Sequence, residues 1–261
     1  MSKITGWIGG GTGAGKTTLT RILAGRHGLR VFPLDAFWYS HAARLPEPEP
    51  GPDEQWLGQT PARQAADFEA LTRRRWPLVL DDLAALPSSP PVIVEGPQVL
   101  PDLVPPGDPA VFLVATGGFQ RSVLERRPLP QTADPGQALA NRIEKDRLHG
   151  ARVAELAHDR GFPVVRVDGG RPITAILADV EAALPGLVGR PIDPAAVRAA
   201  RRWENRVVAD NILSWLTTAH VPPGLADTYP FACECGGRDC HAVIHLSPAD
   251  FAATPRIAEG H

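Results

Sequence analysis

Several things are scarce in this chain, and each shortage narrows what it can be. No stretch of the 261 residues approaches 18 consecutive apolar positions, so no membrane-spanning helix is expected. The opening MSKITGWIGG lacks the long apolar segment and cleavage site of a secretory leader, which makes a cytoplasmic location the expectation. Charge excess is missing too. With 27 Lys and Arg against 29 Asp and Glu, the formal net charge of -2 leaves no overall electrostatic footprint for nucleic acid or an anionic membrane. Lysine is rare beside abundant arginine, so any single lysine in a motif stands out. Cysteine occurs three times, all between residues 233 and 240, which cannot form a disulfide framework across the chain and directs attention to metal or redox chemistry. No internal repeat and no long low-complexity tract appears.

What is present is ordinary globular material, 43% hydrophobic and 21% charged, enough for a sizeable core. The length suits one α/β domain plus a small appendage. Short apolar runs at 4–9, 30–34, 92–96, 111–115 and 164–167 read as strands. Helical patterns fall between them at 15–27, 61–73, 77–86, 136–160 and 173–184. Strands alternating with helices predict right-handed crossovers and a five-stranded parallel sheet in a three-layer α/β fold. EPEPGPDEQ, after the second strand, is turn-rich and a candidate substrate-side flap. Pro and Gly concentrate in PGLVGRPIDP at 185–194, which sets a boundary between a domain at 1–188 and a smaller one at 192–261. The smaller unit begins with an amphipathic helix over 195–218, followed by the Cys-rich turn, the strand AVIHL and a short helix from Pro248.

The most specific motif is GGGTGAGKTT, which contains G-x-x-x-x-G-K-[ST] as Gly10, Gly15, Lys16 and Thr17 between a predicted strand and a predicted helix. Gly10, Gly11, Thr12, Gly13, Ala14 and Gly15 form a turn whose backbone N–H groups can wrap a phosphate. The helix N-terminus adds its positive dipole end, Lys16 a cation, and Thr17 and Thr18 hydroxyls, with Thr17 offered to Mg2+. This loop predicts a nucleoside triphosphate, taken as ATP with Mg2+. A dinucleotide site is the neighbouring alternative, but it has no need for Lys-Thr after the last glycine.

Asp35 and Glu95 both fall at predicted carboxyl ends of strands, where open parallel sheets bind ligands. Phosphoryl transfer needs a metal ligand and a group to accept or orient the attacking hydroxyl. Asp35 is assigned to the acceptor and Glu95 to the Mg2+ shell with Thr17. The two roles can be exchanged, and the bland alternative for each is a helix cap or a partner of Arg. Arg121, Arg126, Arg127, Arg142 and Arg147 follow the fourth strand, where phosphate-covering cations would be needed, and Arg126 and Arg127 are the candidates among them.

The loop, LDAFW at the second strand end and VIVEGP at the third resemble the P-loop small-molecule kinases, the group that includes uridine and related nucleoside or metabolite kinases. The resemblance spans about residues 1–185. It implies transfer of the γ-phosphate to a small-molecule hydroxyl and a role for Asp35 near that hydroxyl. The chain carries no recognisable nucleobase or sugar signature, so the acceptor is unidentified.

CECGGRDC places Cys233, Cys235 and Cys240 in one turn, with Gly236 and Gly237 easing the backbone path that joint ligation requires. Structural Zn2+ is the expectation, with His241, His245, His220 and His261 as candidates for the fourth ligand. Three buried thiols or a labile disulfide are the alternatives. Residues 195–261 resemble a small Cys-rich module of actinobacterial proteins, which implies His261 as fourth ligand and His241 as runner-up. Two rivals to a kinase stay open: a regulatory NTPase whose Cys-rich module recruits a partner, and a protein that holds nucleotide without turnover. Oligomeric state is not legible.

Overall fold

The structure is a computed structural model, and it describes residues 4–45, 50–127, 132–218, 228–247, 250–251, 256–258 and 260. Strand β1 (Thr5–Gly10) leads through the glycine loop into helix α1 (Lys16–His27), and β2 (Arg30–Pro33) follows. A 3-10 turn (Leu34–Phe37) passes into α2 (Trp38–Arg44), then α3 (Pro52–Trp56) and α4 (Pro61–Ala85). The chain continues as β3 (Val92–Glu95), β4 (Ala110–Ala115), α5 (Gly117–Leu124), α6 (Pro135–Asp159), β5 (Val164–Val167) and α7 (Ile173–Ala183). Beyond these lie α8 (Pro194–Thr218) and the hairpin of β6 (Tyr229–Ala232) and β7 (Val243–Leu246).

The first five strands form one parallel sheet in the order β2-β3-β1-β4-β5. Both faces are covered, as the continuous apolar runs require. Alternate residues supply two cores: Ile8, Val31, Ile93, Val111 and Leu113 face α1 and α7. Trp7, Phe32, Val94 and Phe112 face the other side, where Trp76 of α4 lies 5.4 Å from Trp7 between ring centroids. Because β1 sits between β3 and β4, the carboxyl ends of these strands open a crevice at the point where the strand order reverses. Among the described residues no helix is long and apolar enough to cross a membrane.

The structure departs from the sequence expectation in several elements. Segments 61–73 and 77–86 are one helix, α4, running through Pro77. Proline removes a single N–H from the ladder, and the face carrying Trp76, Val79 and Leu83 stays buried on both sides of that point. The EPEPGPDEQ stretch is partly helical as α3, with residues 46–49 outside the described residues. Helices α2 and α5 and strand β6, all short elements, were not expected. Of the helix expected from Pro248, only residues 250–251 are described, and these are helical.

The Pro/Gly-rich segment does not separate α8 from the sheet. Trp203 of α8 stacks against Phe32 (5.8 Å) and lies 6.0 Å from Phe37, with the buried Arg30 guanidinium 5.5 Å from its ring. The Tyr39 backbone N–H donates to Asn211 Oδ1 at 3.4 Å. Helix α8 therefore covers the β2 edge of the sheet and shares its core.

Candidate functional site

The glycine loop occupies the carboxyl end of β1. At Gly10, φ is 120°, and an added Cβ would lie 2.0 Å from the Leu113 carbonyl oxygen, so only glycine lets the chain leave β1 this close to β4. At Gly15, φ is 79°, and an added Cβ would meet nothing within 4 Å. The first turn of α1, Lys16 to Thr18, borders an open cleft, and the N–H groups of a helix's first turn have no partner within the helix, the arrangement that favours an anion. Gln120 of α5 pins the loop from the side, its Nε2 donating to the Thr12 carbonyl at 3.2 Å. Ala14 turns its methyl group into the core.

Lys16 is buried beneath the loop, donating from Nζ to the carbonyls of Gly11 (2.8 Å) and Gly10 (3.2 Å). Burial lowers its pKa, and the carboxylates of Glu95, Asp35 and Asp146 oppose that effect. Strand, glycine loop, lysine and helix stand in the required order on a parallel sheet. This is the fold of a P-loop NTPase.

A cleft of about 270 Å³ opens beside the loop, with Thr12, Lys16, Thr17, Asp35 and Glu95 in its wall. The Thr17 hydroxyl donates to Glu95 Oε1 at 3.2 Å. Glu95 is 4% exposed, and its pKa is pushed up to about 7, first by burial and then by the nearby Asp35 charge. A carboxylate so short of solvent gains from a cation. Together with the Thr17 hydroxyl it fits a Mg2+ site, because both atoms are oxygens of the kind this ion prefers. Asp35 stands more exposed, at the start of the turn after β2, and is held by Gln98 Nε2 at 2.7 Å.

The opposite wall comes from α6 and α3, and little of it was expected from sequence. Arg142, Lys145 and Asp146 line the cleft together with Trp56. Lys145 Nζ donates to Asp146 Oδ1 at 2.8 Å and lies 4.6 Å from the Phe68 ring centroid. The Arg142 guanidinium lies 5.7 Å from the Trp56 ring, whose buried indole N–H has no hydrogen-bond partner among the described residues. His149, the next residue on this face, bonds through Nε2 to the Pro97 carbonyl at 2.9 Å. Burial pushes its pKa down to about 4, so the ring is neutral and acts as the N–H donor.

Residues 142, 145, 146 and 149 have i, i+3, i+4, i+7 spacing. A polar stripe where an amphipathic helix should be apolar was the signal available in the sequence. Of the two arginines expected to cover phosphate, both exposed, Arg127 lines the cleft and Arg126 lies outside its wall. Arg147 is turned away and paired with Glu144 at 2.7 Å.

The Cys-rich turn follows β6. The Sγ atoms of Cys233, Cys235 and Cys240 lie within 4.8 Å of one another. Sulfurs sharing one tetrahedral Zn2+ at about 2.3 Å stand roughly 3.8 Å apart, so a small contraction would bring these three to one ion. Two of them already accept backbone N–H bonds, from Gly237 to Cys235 (3.2 Å) and from Ala258 to Cys233 (3.3 Å), which offset negative charge on sulfur. The donor set fits Zn2+. His241 and His245 are both exposed and absent from the cluster, His241 bonding through Nδ1 to the Asp239 carbonyl at 2.9 Å. His220 and His261 lie outside the described residues.

No protein-family model matches the chain, and no curated protein sequence matches it. Among solved structures, a shikimate kinase from Bacteroides thetaiotaomicron aligns with a TM-score of 0.45 at 15% identity, over 69% of this chain and 98% of that one. A shikimate kinase from Acinetobacter baumannii, in complex with shikimate, aligns with a TM-score of 0.39 at 19% identity, over 69% and 91%.

Proposed function

We propose that this protein is an ATP-dependent phosphotransferase that moves the γ-phosphoryl group to a hydroxyl of a small molecule. The observation that carries the reading is the convergence on one cleft of a phosphate loop, a Thr–Glu oxygen pair and a second strand-end carboxylate. A binding loop alone would need only the first of these.

In this reading the N–H groups of residues 11–16 and the Lys16 ammonium hold the β- and γ-phosphates. Thr17 and Glu95 hold Mg2+, which when bound neutralises phosphate charge. Asp35, fixed by Gln98, accepts the proton of the acceptor hydroxyl as its oxygen bonds to the γ-phosphorus and the bond to the bridging oxygen of ADP breaks. Arg127 covers the transferring group, with Arg126 able to join it only by moving into the cleft. The acceptor side is donor-rich, with Trp56, Arg142 and Lys145 facing it. Nucleosides and related metabolites, the acceptors of the kinases the sequence resembles, form the first class to test.

The same proposal takes residues 1–188 as the phosphotransfer unit and 192–261 as a second unit, packed on the first through α8 and stabilised by Zn2+ on Cys233, Cys235 and Cys240 with one histidine, His261, or His241 only if it leaves its bond to the Asp239 carbonyl. A cytoplasmic location without nucleic-acid or membrane partners accords with the balanced charge. The test is a metabolite-library screen for ATP consumption together with product mass analysis. A phosphorylated metabolite supports the reading. Phosphate release that depends only on an added macromolecule would replace it with a regulatory NTPase.

A further inference from the structure

The last carbonyls of an α-helix find no partner within the helix and must be satisfied from outside. In α1 the Ala24 carbonyl accepts from Leu29 N–H (3.1 Å), while the Gly25 carbonyl accepts from the backbone N–H of Asp239 (3.0 Å), in the turn between Cys235 and Cys240. Asp239 reaches it with φ at 60°, the one positive φ outside glycine among the described residues. Such a conformation is tolerated where its surroundings hold it in place. Gly25 itself is fitted to this contact: an added Cβ would lie 2.4 Å from the Cys240 carbonyl oxygen and 3.2 Å from His241 N. The Cys-rich turn therefore lies backbone against backbone on α1 and completes its C-terminal end. One helical segment earlier, Arg21 lines a small cavity together with Cys233 and Cys240. The opposite end of the same helix, about 14 Å away at 1.5 Å per residue, carries Lys16 and Thr17.

From this arrangement we propose that metal binding by the three cysteines and triphosphate binding by the glycine loop are thermodynamically linked through α1. The inference rests on the nucleotide site proposed above. A metal that gathers the three sulfurs fixes the turn that presents Asp239 N–H to Gly25, and so fixes the last turn of α1. If the sulfurs separate, Asp239 leaves its constrained conformation and the Gly25 carbonyl loses its partner. The helix then frays from its C-terminal end, and nucleotide must order it on binding. A ligand that finds its site already ordered binds more tightly, and the effect is reciprocal.

The test uses the full chain, stripped of metal with a chelator and then reloaded with Zn2+, at a low temperature where both forms still unfold cooperatively on heating. Affinity for a non-hydrolysable ATP analogue with Mg2+ is expected to rise about 5- to 50-fold on Zn2+ loading, with affinity for Zn2+ rising by the same factor when the analogue is present. Hydrogen exchange of the α1 amides is expected to slow on Zn2+ loading before any nucleotide is added. Gly25→Ala should still bind Zn2+, with the two affinities no longer linked.

Equal analogue affinity with and without Zn2+, or full linkage in Gly25→Ala, overturns the proposal. If that variant does not fold, the comparison of metal-free and loaded wild type decides alone. Failure of the Zn2+-loaded chain to bind the analogue at all would instead overturn the nucleotide reading on which the linkage depends.

Discussion

The glycine loop and the Cys-rich turn are both tight turns that gather groups of one electronic character, and they lie at opposite ends of α1. The loop collects N–H donors and an ammonium around open space, Gly15 having no protein atom within 4 Å of where a Cβ would stand. The Cys-rich turn collects electron-rich sulfurs and is packed tightly against its helix at Gly25. The contrast separates two tasks. An open turn receives a ligand that comes and goes, whereas a crowded one anchors a segment. Changes at the first should remove chemistry and leave the fold, and changes at the second should weaken the fold first.

The largest effect is expected at Asp35, the carboxylate proposed to face the acceptor. Asp35→Asn should lower kcat about 10²- to 10⁴-fold with nucleotide affinity unchanged, measured by product formation and by analogue titration. Lys16→Ala should lower kcat/KM about 10²- to 10³-fold and weaken analogue binding as well. Gln98→Ala frees Asp35 without removing it, and about a tenfold loss in kcat is expected, with Gln98→Glu no substitute because a carboxylate cannot donate to Asp35. If any of these three lowered Tm by as much as a substitution in the Cys-rich turn, the division between the nucleotide cleft and that turn would fail.

At the crowded end the readout is stability. Cys235→Ser should lower Tm by about 5 °C or more in Zn2+-loaded protein and abolish the Tm difference made by a chelator, as scanning calorimetry would detect.

Glu95 lies between the two cases. Its folded-state pKa of about 7 exceeds the ordinary carboxylate value of 4.5, so the native chain holds the proton more tightly than the unfolded one. Stability of the nucleotide-free protein should therefore fall as pH rises from about 4.5 to about 7. Glu95→Gln should remove that slope, raising Tm by roughly 2–6 °C at pH 8 and little at pH 4. The same substitution should weaken Mg2+-dependent binding of the analogue.

How much could be read in advance follows from how local each feature is. The loop residues act within one turn of chain, so the spacing of Gly10, Gly15, Lys16 and Thr17 carried its own structural context, and the five strands were placed by their apolar runs. Glu95 and Asp35 could be placed on one cleft because strand ends in a parallel sheet share one edge. The wall made by Trp56, Arg142, Lys145 and Asp146 depends on how α6 and α3 cross that edge, which no local pattern fixes. The seating of Cys240 on Gly25 joins residues more than 200 positions apart, and a glycine in the last turn of a helix gave only the hint of a close approach. Pro77 misled because a helix boundary is the usual consequence of proline, and the buried face of α4 overrode it.

The most direct test of the central claim follows the phosphoryl group itself. The full chain is incubated with Mg2+, ATP carrying ¹⁸O on its γ-phosphoryl oxygens and a pool of small hydroxyl compounds, and the label is located by mass spectrometry. A labelled phosphomonoester is expected from the wild type, and at least about 100-fold less of it in the same time from Lys16→Ala. Label found only in inorganic phosphate, or an ester formed equally by the variant, would contradict that claim.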